Sequence, residues 1–328
     1  MPFLLDDEQR EFARSLDALL TGADTPAVVR AWAAGDHGPG LALWRRLADA
    51  GVFALAVPEA YGGVGPLPVE TALAFVELGR HGVPGPVVES VAAGVLLGAV
   101  GGPVAQEWLP RIASGTAVVT LVLEGYGPYA LDADAADAVF TATGDGLRLA
   151  PGRGEPTRSM DPARRLFRPG AGGEGVAAGP RVREAARAAG TWAAFATAAQ
   201  ALGCGEELLR ATVAYAKQRT QFGVPVGSFQ ALKHRLADTL LGLEFARPLL
   251  YGAAVELAEG TPGAGAAVAA AKVATGEAGY AAARTALQLH GAVGYTEELD
   301  LAWWLRRARP LRDAWGTPSA CRGRVLAG

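Results

Sequence analysis

The sequence predicts a mainly α-helical protein with a small β domain, in three parts: a helical N-terminal domain over 1–114, a middle β domain over 115–178 and a C-terminal helical bundle over 179–328. Three observations carry that prediction. Apolar residues recur at helical spacing from Asp6 to about Ser114, short runs rich in Val, Thr and Leu follow, and long Ala-dense helical segments fill the remainder.

The first helix opens at DDEQREFARSLDALL. Asp6 suits the cap, the acidic residues suit the positive end of the helix dipole, and Phe12, Leu16 and Leu19 share one face. A second helix spans LALWRRLADAG and is stopped by Gly51. In VFALAVPEAYGGVG, Pro58 and three glycines break the period and force a loop before the helix VETALAFVELGRHG. The most apolar run, VESVAAGVLLGAV from Val88 to Val100, is too short and too rich in small residues to span a bilayer, so it is read as a buried helix.

In the middle domain AVVTLVLEG, AVFTATGDG and LRLA are read as an antiparallel meander, and Gly170 to Gly179 as a Gly-rich connector. Helices resume at about Arg181, with long segments ending near Arg219, Gly260 and Gly291. Their alanine-dense faces let neighbours approach closely, which predicts an antiparallel bundle.

Composition excludes several classes. With 30 basic and 33 acidic residues the net charge is −3, and no stripe of Lys or Arg is interleaved with aromatics, so no nucleic-acid partner is expected. Cys204 and Cys321 lie far apart without metal-ligand spacing, which predicts two reduced thiols, no metal and a cytoplasmic location. The opening MPFLLDDEQREF turns acidic where a secretory signal would be basic and then apolar, so neither targeting nor a membrane partner is expected. Of the scattered histidines, His234 and His290 fall near the motifs below and receive no catalytic role. Adjacent Trp303 and Trp304 point about 100° apart on a helix and predict two separate contacts.

Three stretches are more specific: YAKQRTQFGVPVGSFQALKHRLAD from Tyr215 to Asp238, LQLHGAVGYTEELDLAWWLRRAR from Leu287 to Arg309, and VPEAYGGVG from Val57 to Gly65. Together, in this order and spacing, they resemble the acyl-CoA dehydrogenase family across nearly the whole chain. The resemblance implies that family's fold, an FAD cofactor, and α,β-dehydrogenation of a coenzyme A thioester with an electron-transfer flavoprotein as acceptor. In that chemistry a carboxylate removes the α-proton while the β-hydrogen leaves as hydride. The α-proton is weakly acidic, so the carboxylate needs a dry pocket that raises its pKa.

Two positions host this base in different branches of the family, and neither is a carboxylate here. Aligning the tail RDAWGTPSACR by Gly316 and Thr317 puts Trp315 at the first, and an indole N–H donates but cannot accept a proton. Counting back from Arg219 places the second near Ala193. Asp313, Glu206 and Glu207 are acids close by in sequence, read as salt-bridged or solvated groups ahead of a catalytic one. The β domain also looks shortened: LVLEGYGPYALDADAADAV stands where the resemblance would place Thr-Glu-Pro, Gly-Ser-Asp and a later Trp-x-Thr around the flavin ring.

Other positions are kept. The resemblance assigns Arg219, Gln221, Phe222, Phe229, Gln230, Gln288 and Gly291 to the adenosine and pyrophosphate of a neighbouring subunit's FAD. Arginine suits phosphate oxygens, phenylalanine offers a face to adenine, glutamine supplies amide donors and acceptors, and glycine permits close backbone approach. These losses and retentions resemble the short, non-catalytic subunits of heterotetrameric actinobacterial acyl-CoA dehydrogenases that act on steroid side chains. A full-length homologous subunit would then supply the base and bind most of the acyl-CoA, with Trp315 filling an unused second cavity. The alternatives are a self-sufficient homomeric dehydrogenase with a displaced base such as Asp313, or a non-redox structural protein of the same fold.

Overall fold

A computed structural model of the chain describes residues 5–296 and 298–327. The first four residues of the opening segment, and Glu297 of the second C-terminal motif, lie outside the described residues.

The N-terminal domain contains α1 (Asp7–Thr21), α2 (Thr25–Ala33), α3 (Gly38–Asp49), α4 (Pro68–Arg80), α5 (Val87–Val100) and α6 (Gly102–Ala113). Asp6 caps α1 reciprocally: its carboxylate accepts the Gln9 N–H at 2.8 Å and the Gln9 side-chain oxygen accepts the Asp6 N–H at 3.2 Å. Leu16 and Leu20 point into the core, with Phe12 and Leu19 packed beside them. Helix α3 ends just before Gly51, whose φ of +82° turns the chain away. As expected, α5 is buried along most of its length.

The middle domain corrects two expectations. Strands β1 (Val119–Leu123), β3 (Ala138–Thr143), β4 (Gly146–Leu149) and β7 (Glu174–Ala178) form one sheet in the order β1-β3-β4-β7, and β1 pairs with β3 in parallel. A pure antiparallel meander fails because the chain leaves the sheet after β1 and returns in the same direction. In between, β2 (Ala130–Leu131) joins a second sheet with β5 (Glu155–Thr157) and β6 (Leu166–Arg168). The Gly170–Gly179 segment is not a free connector either. Gly172 and Gly173 make a turn at positive φ, and the residues after them form β7, paired antiparallel with β4.

The bundle consists of α7 (Pro180–Gln218), a short hairpin of β8 (Thr220–Gln221) and β9 (Val224–Pro225), α8 (Gln230–Glu259), α9 (Ala264–His290), α10 (Leu301–Asp313) and α11 (Pro318–Ala327). The middle of α7 is buried from Trp192 to Gly205, with α4 and α5 of the N-terminal domain and α9 of the bundle packed against the helix. Its crossing with α4 works only without side chains: a Cβ on Gly203 would lie 1.9 Å from the Val76 carbonyl oxygen, and one on Gly79 2.2 Å from that of Gln200. One apolar core therefore runs through all three parts.

Helix α10 is pinned by polar bonds. Arg307 forms a buried ion pair with Asp161 at 2.8 Å, and the Trp304 indole donates to the Arg80 carbonyl at 2.9 Å. Trp303 instead lies under the Arg306 guanidinium, so the adjacent tryptophans serve two contacts as their spacing predicts. Both cysteines are free and buried, and burial pushes the Cys204 thiol up to about 12.

Candidate functional site

The end of the bundle where α7 stops and α8 starts gathers the seven positions expected at the cofactor. The Tyr215 ring stacks on His290 at 4.2 Å, tying the last turn of α7 to that of α9. Burial lowers the His290 pKa, so the ring packs as neutral imidazole. Arg219 caps α7, Gln221 and Phe222 form the hairpin, Phe229 and Gln230 open α8, and Gln288 and Gly291 close α9.

These groups face outward. Phe222 is 93% exposed at a φ of +52°, with its ring edge-on to Phe229 at 6.3 Å. Among the described residues, the side chains of Arg219, Gln221, Gln230 and Gln288 make no hydrogen bond or ion pair, which leaves all their donors and acceptors available. Gly291 has a φ of +64° and open space where a Cβ would sit. A free guanidinium, bare aromatic rings, uncommitted amides and an approachable glycine suit the phosphate and adenine of a dinucleotide. Further along α8, Leu241, Phe245 and Leu249 form an exposed apolar stripe at helical spacing, and Phe245 is 73% exposed.

The two positions at which the resemblance would place a base are closed. Ala193 is fully buried inside α7. Trp315 sits between α10 and α11 with a φ of +55°, costly for a bulky residue, and its ring packs 5.3 Å from Tyr126. Its indole N–H donates to Oε1 of Glu89 on α5 at 3.0 Å. Glu89 is 3% exposed and its Oε2 has no partner among the described residues. Burial raises its pKa, against the opposing influence of the Arg164 charge and the Trp315 bond. Beside this pair lies a cavity of about 130 Å³, lined by Glu89, Tyr126, Arg164 and Trp315 among others.

The acids close in sequence are each held by arginine. Asp313 pairs with Arg309 at 2.8 Å, Glu206 with Arg80 at 2.6 Å and Arg247 at 2.9 Å, and Glu207 with Arg210 at 2.6 Å. Sequence reasoning missed Glu89 and Arg164. The available signal was a lone glutamate near the start of an otherwise apolar run, since a buried helix must bury its acid. It also missed a cavity of about 650 Å³ in the β domain, where Glu124, Arg148 and Arg168 stand among glycine turns. A cluster of ligand-type side chains, Asp17, Glu77 and His81, is taken up internally: His81 meets Asp17 at 2.8 Å and Glu77 accepts from Arg80 at 2.7 Å. Among the described residues, no helix is long and apolar enough to cross a membrane.

The fold is that of a three-part protein, a helical domain and a small β domain set on a long bundle, with exposed and uncommitted side chains at one end of the bundle. Comparison with known proteins sharpens this. Residues 6–116 match the acyl-CoA dehydrogenase N-terminal domain and residues 183–327 the acyl-CoA dehydrogenase C-terminal domain. The acyl-CoA dehydrogenase IpdE2 of Mycobacterium tuberculosis is 37% identical over 305 residues, covering 92% of this chain and 91% of its own length. Among solved structures, the ChsE4-ChsE5 complex of Mycobacterium tuberculosis contains a chain that is 27% identical, with a TM-score of 0.83, covering 100% of this chain and 98% of that one. A variant of the Tcur3481-Tcur3483 steroid ACAD superposes with a TM-score of 0.85 at 25% identity, covering 98% of this chain and 97% of its own. The chain belongs to the acyl-CoA dehydrogenase family.

Proposed function

We propose that this chain is one subunit of a heteromeric, FAD-dependent acyl-CoA dehydrogenase, inactive alone. It holds the adenosine and pyrophosphate half of a shared FAD and builds the oligomer interface, while a homologous full-length partner supplies the base. The observation that carries this reading is the contrast between the two ends of the site. The base position is an indole whose only donor is committed to Glu89, whereas the cofactor end leaves Arg219 and Phe222 turned to solvent.

The fit of that end to FAD is local. Arg219 would hold pyrophosphate, Phe222 and Phe229 would border adenine, and Gln221, Gln230, Gln288 and the Gly291 backbone would complete the contacts. Bound FAD supplies the acceptor for the β-hydride. This chain's residues bind and orient the nucleotide, and the Leu241, Phe245 and Leu249 stripe on α8 supplies apolar area for a homologous bundle. The arginine pairing of Asp313 speaks against the self-sufficient alternative, because a salt-bridged carboxylate is a poor base.

The substrate class in this reading is an acyl-CoA thioester, bound mainly by the partner, with steroid-derived acyl groups the first to try, since one structural neighbour is a steroid ACAD. Electron-transfer flavoprotein is the acceptor to supply. The deciding experiment purifies the chain alone and with candidate homologous subunits, then measures flavin content and thioester oxidation. Activity and stoichiometric flavin only in the complex is the expected result. Full activity of the lone chain overturns the reading, and a complex without flavin favours a purely structural role.

A further inference from the structure

The cavity beside Trp315 is lined by one buried and one half-buried polar group that make no bond to each other and, at the atoms concerned, none to any other described residue. Oε2 of Glu89 has no hydrogen-bond partner among the described residues, although the residue is only 3% exposed. Half-buried Arg164 lines the same cavity, and its guanidinium makes no hydrogen bond or ion pair among the described residues. The Arg164 charge opposes the rise that burial imposes on the Glu89 pKa, yet no ion pair joins them. A buried polar atom left unsatisfied costs stability comparable to a lost hydrogen bond, so Oε2 of Glu89, with the uncommitted Arg164 guanidinium lining the same cavity, offers bonding positions to a third group.

The chemistry of that group follows from what each side offers. Arg164 presents only donors. Glu89 is favoured in its neutral form by burial, and with Oε1 already accepting from Trp315 its own proton is carried toward the unpaired Oε2, again a donor. A ligand that meets both must accept twice, as a carboxylate does through its two oxygens. Leu121, Leu131 and Leu166 give the cavity an apolar side, beside the rings of Tyr126 and Tyr129. A volume of about 130 Å³ is far too small for a coenzyme A thioester.

We propose that this cavity binds a short carboxylic acid of about two to four carbons, a size that replaces several waters, with its carboxylate between Arg164 and Oε2 of Glu89 and its alkyl tail on the leucines. The site is separate in its requirements from the cofactor end. It does not rest on the partner-subunit reading, because flavin can fail to appear in any complex while the acid still binds, and the reverse holds as well.

The test is calorimetric titration of propionate into the full chain, with 1-propanol as the uncharged probe of similar size. Saturable binding of one propionate per chain is expected, with propanol weaker by about tenfold or more, as loss of a charge-assisted contact implies. Arg164→Met and Arg164→Gln should each weaken propionate by a similar factor, and the partly exposed position leaves two chances of a folded variant. Glu89→Gln should stay within about threefold of the parent, because its amide oxygen still accepts from Trp315 and its N–H₂ replaces the acid proton. Absence of saturable propionate binding overturns the proposal. So does equal affinity for propanol, or parental affinity in a folded Arg164 variant.

Discussion

The indole of Trp315 donates to the buried carboxyl of Glu89 at 3.0 Å, joining the tail after α10 to α5 across the domain boundary. Trp315→Phe keeps an aromatic ring but removes the donor, so both oxygens of Glu89 would lack a partner. The variant should lose about 1–3 kcal/mol of stability, the cost of stranding a buried acceptor. Urea unfolding of parent and variant measures it, and an unchanged midpoint would show the bond to be worth nothing.

Arg219→Ala removes the guanidinium that the proposed cofactor site assigns to pyrophosphate without touching the core, since the side chain is exposed and unpaired among the described residues. Flavin occupancy of the assembled complex should fall several-fold, with the lone chain's melting temperature unchanged. Absorbance at the flavin band against protein concentration gives the answer.

Phe245→Glu places a charge in the middle of the exposed stripe on α8. A buried, unpaired charge is strongly unfavourable at an interface, whereas on the isolated chain the substitution removes an exposed phenylalanine. Association with a homologous subunit should be lost in sedimentation velocity while circular dichroism of the variant matches the parent.

Asp132 is completely buried, and burial raises its pKa to about 7 despite a backbone hydrogen bond from Arg165 at 2.9 Å. Its unfolded value is about 3.9. Between these values the folded chain holds a proton the unfolded chain has released, so this group's contribution is complete below about pH 3.9 and declines as pH rises toward 7. Asp132→Asn should remove that slope, and asparagine tolerates the φ of +50° found there. Unfolding free energies at several pH values, parent against variant, provide the check.

Gly203→Ala should be severe for so small a change, because its Cβ would meet the Val76 carbonyl at 1.9 Å. Forcing α4 and α7 apart should cost about 1–3 kcal/mol or more. Thermal unfolding that matches the parent would mean that the crossing relaxes freely.

Much of the architecture was legible because local signals agreed with the tertiary outcome. Asp6 capped α1, Gly51 ended α3 and the alanine-rich runs became the long helices, each through an interaction within a few residues. The sheet was less legible. Parallel pairing of β1 with β3 depends on a partner that skips a strand, and β7 hides in a glycine-rich stretch whose pairing depends on β4 rather than on its own propensity. At the candidate site, Arg219, Phe222 and Gly291 were named through the family resemblance of their motifs. The bond from Trp315 to Glu89 spans 226 residues, and no local pattern announces a contact of that range.

The parallel register of β1 and β3 also has a kinetic consequence. A two-residue turn at Gly144 and Asp145 lets β3 and β4 zip as a hairpin, a microsecond event in isolated chains. Strand β1 cannot join by the same local route, because parallel neighbours must first close a longer loop. Its outer neighbour is α5, against which it packs, so completion of the sheet waits on the helical domain. The middle domain is therefore expected to mature late, as the step that seals α5, and Glu89 with it, into the interior.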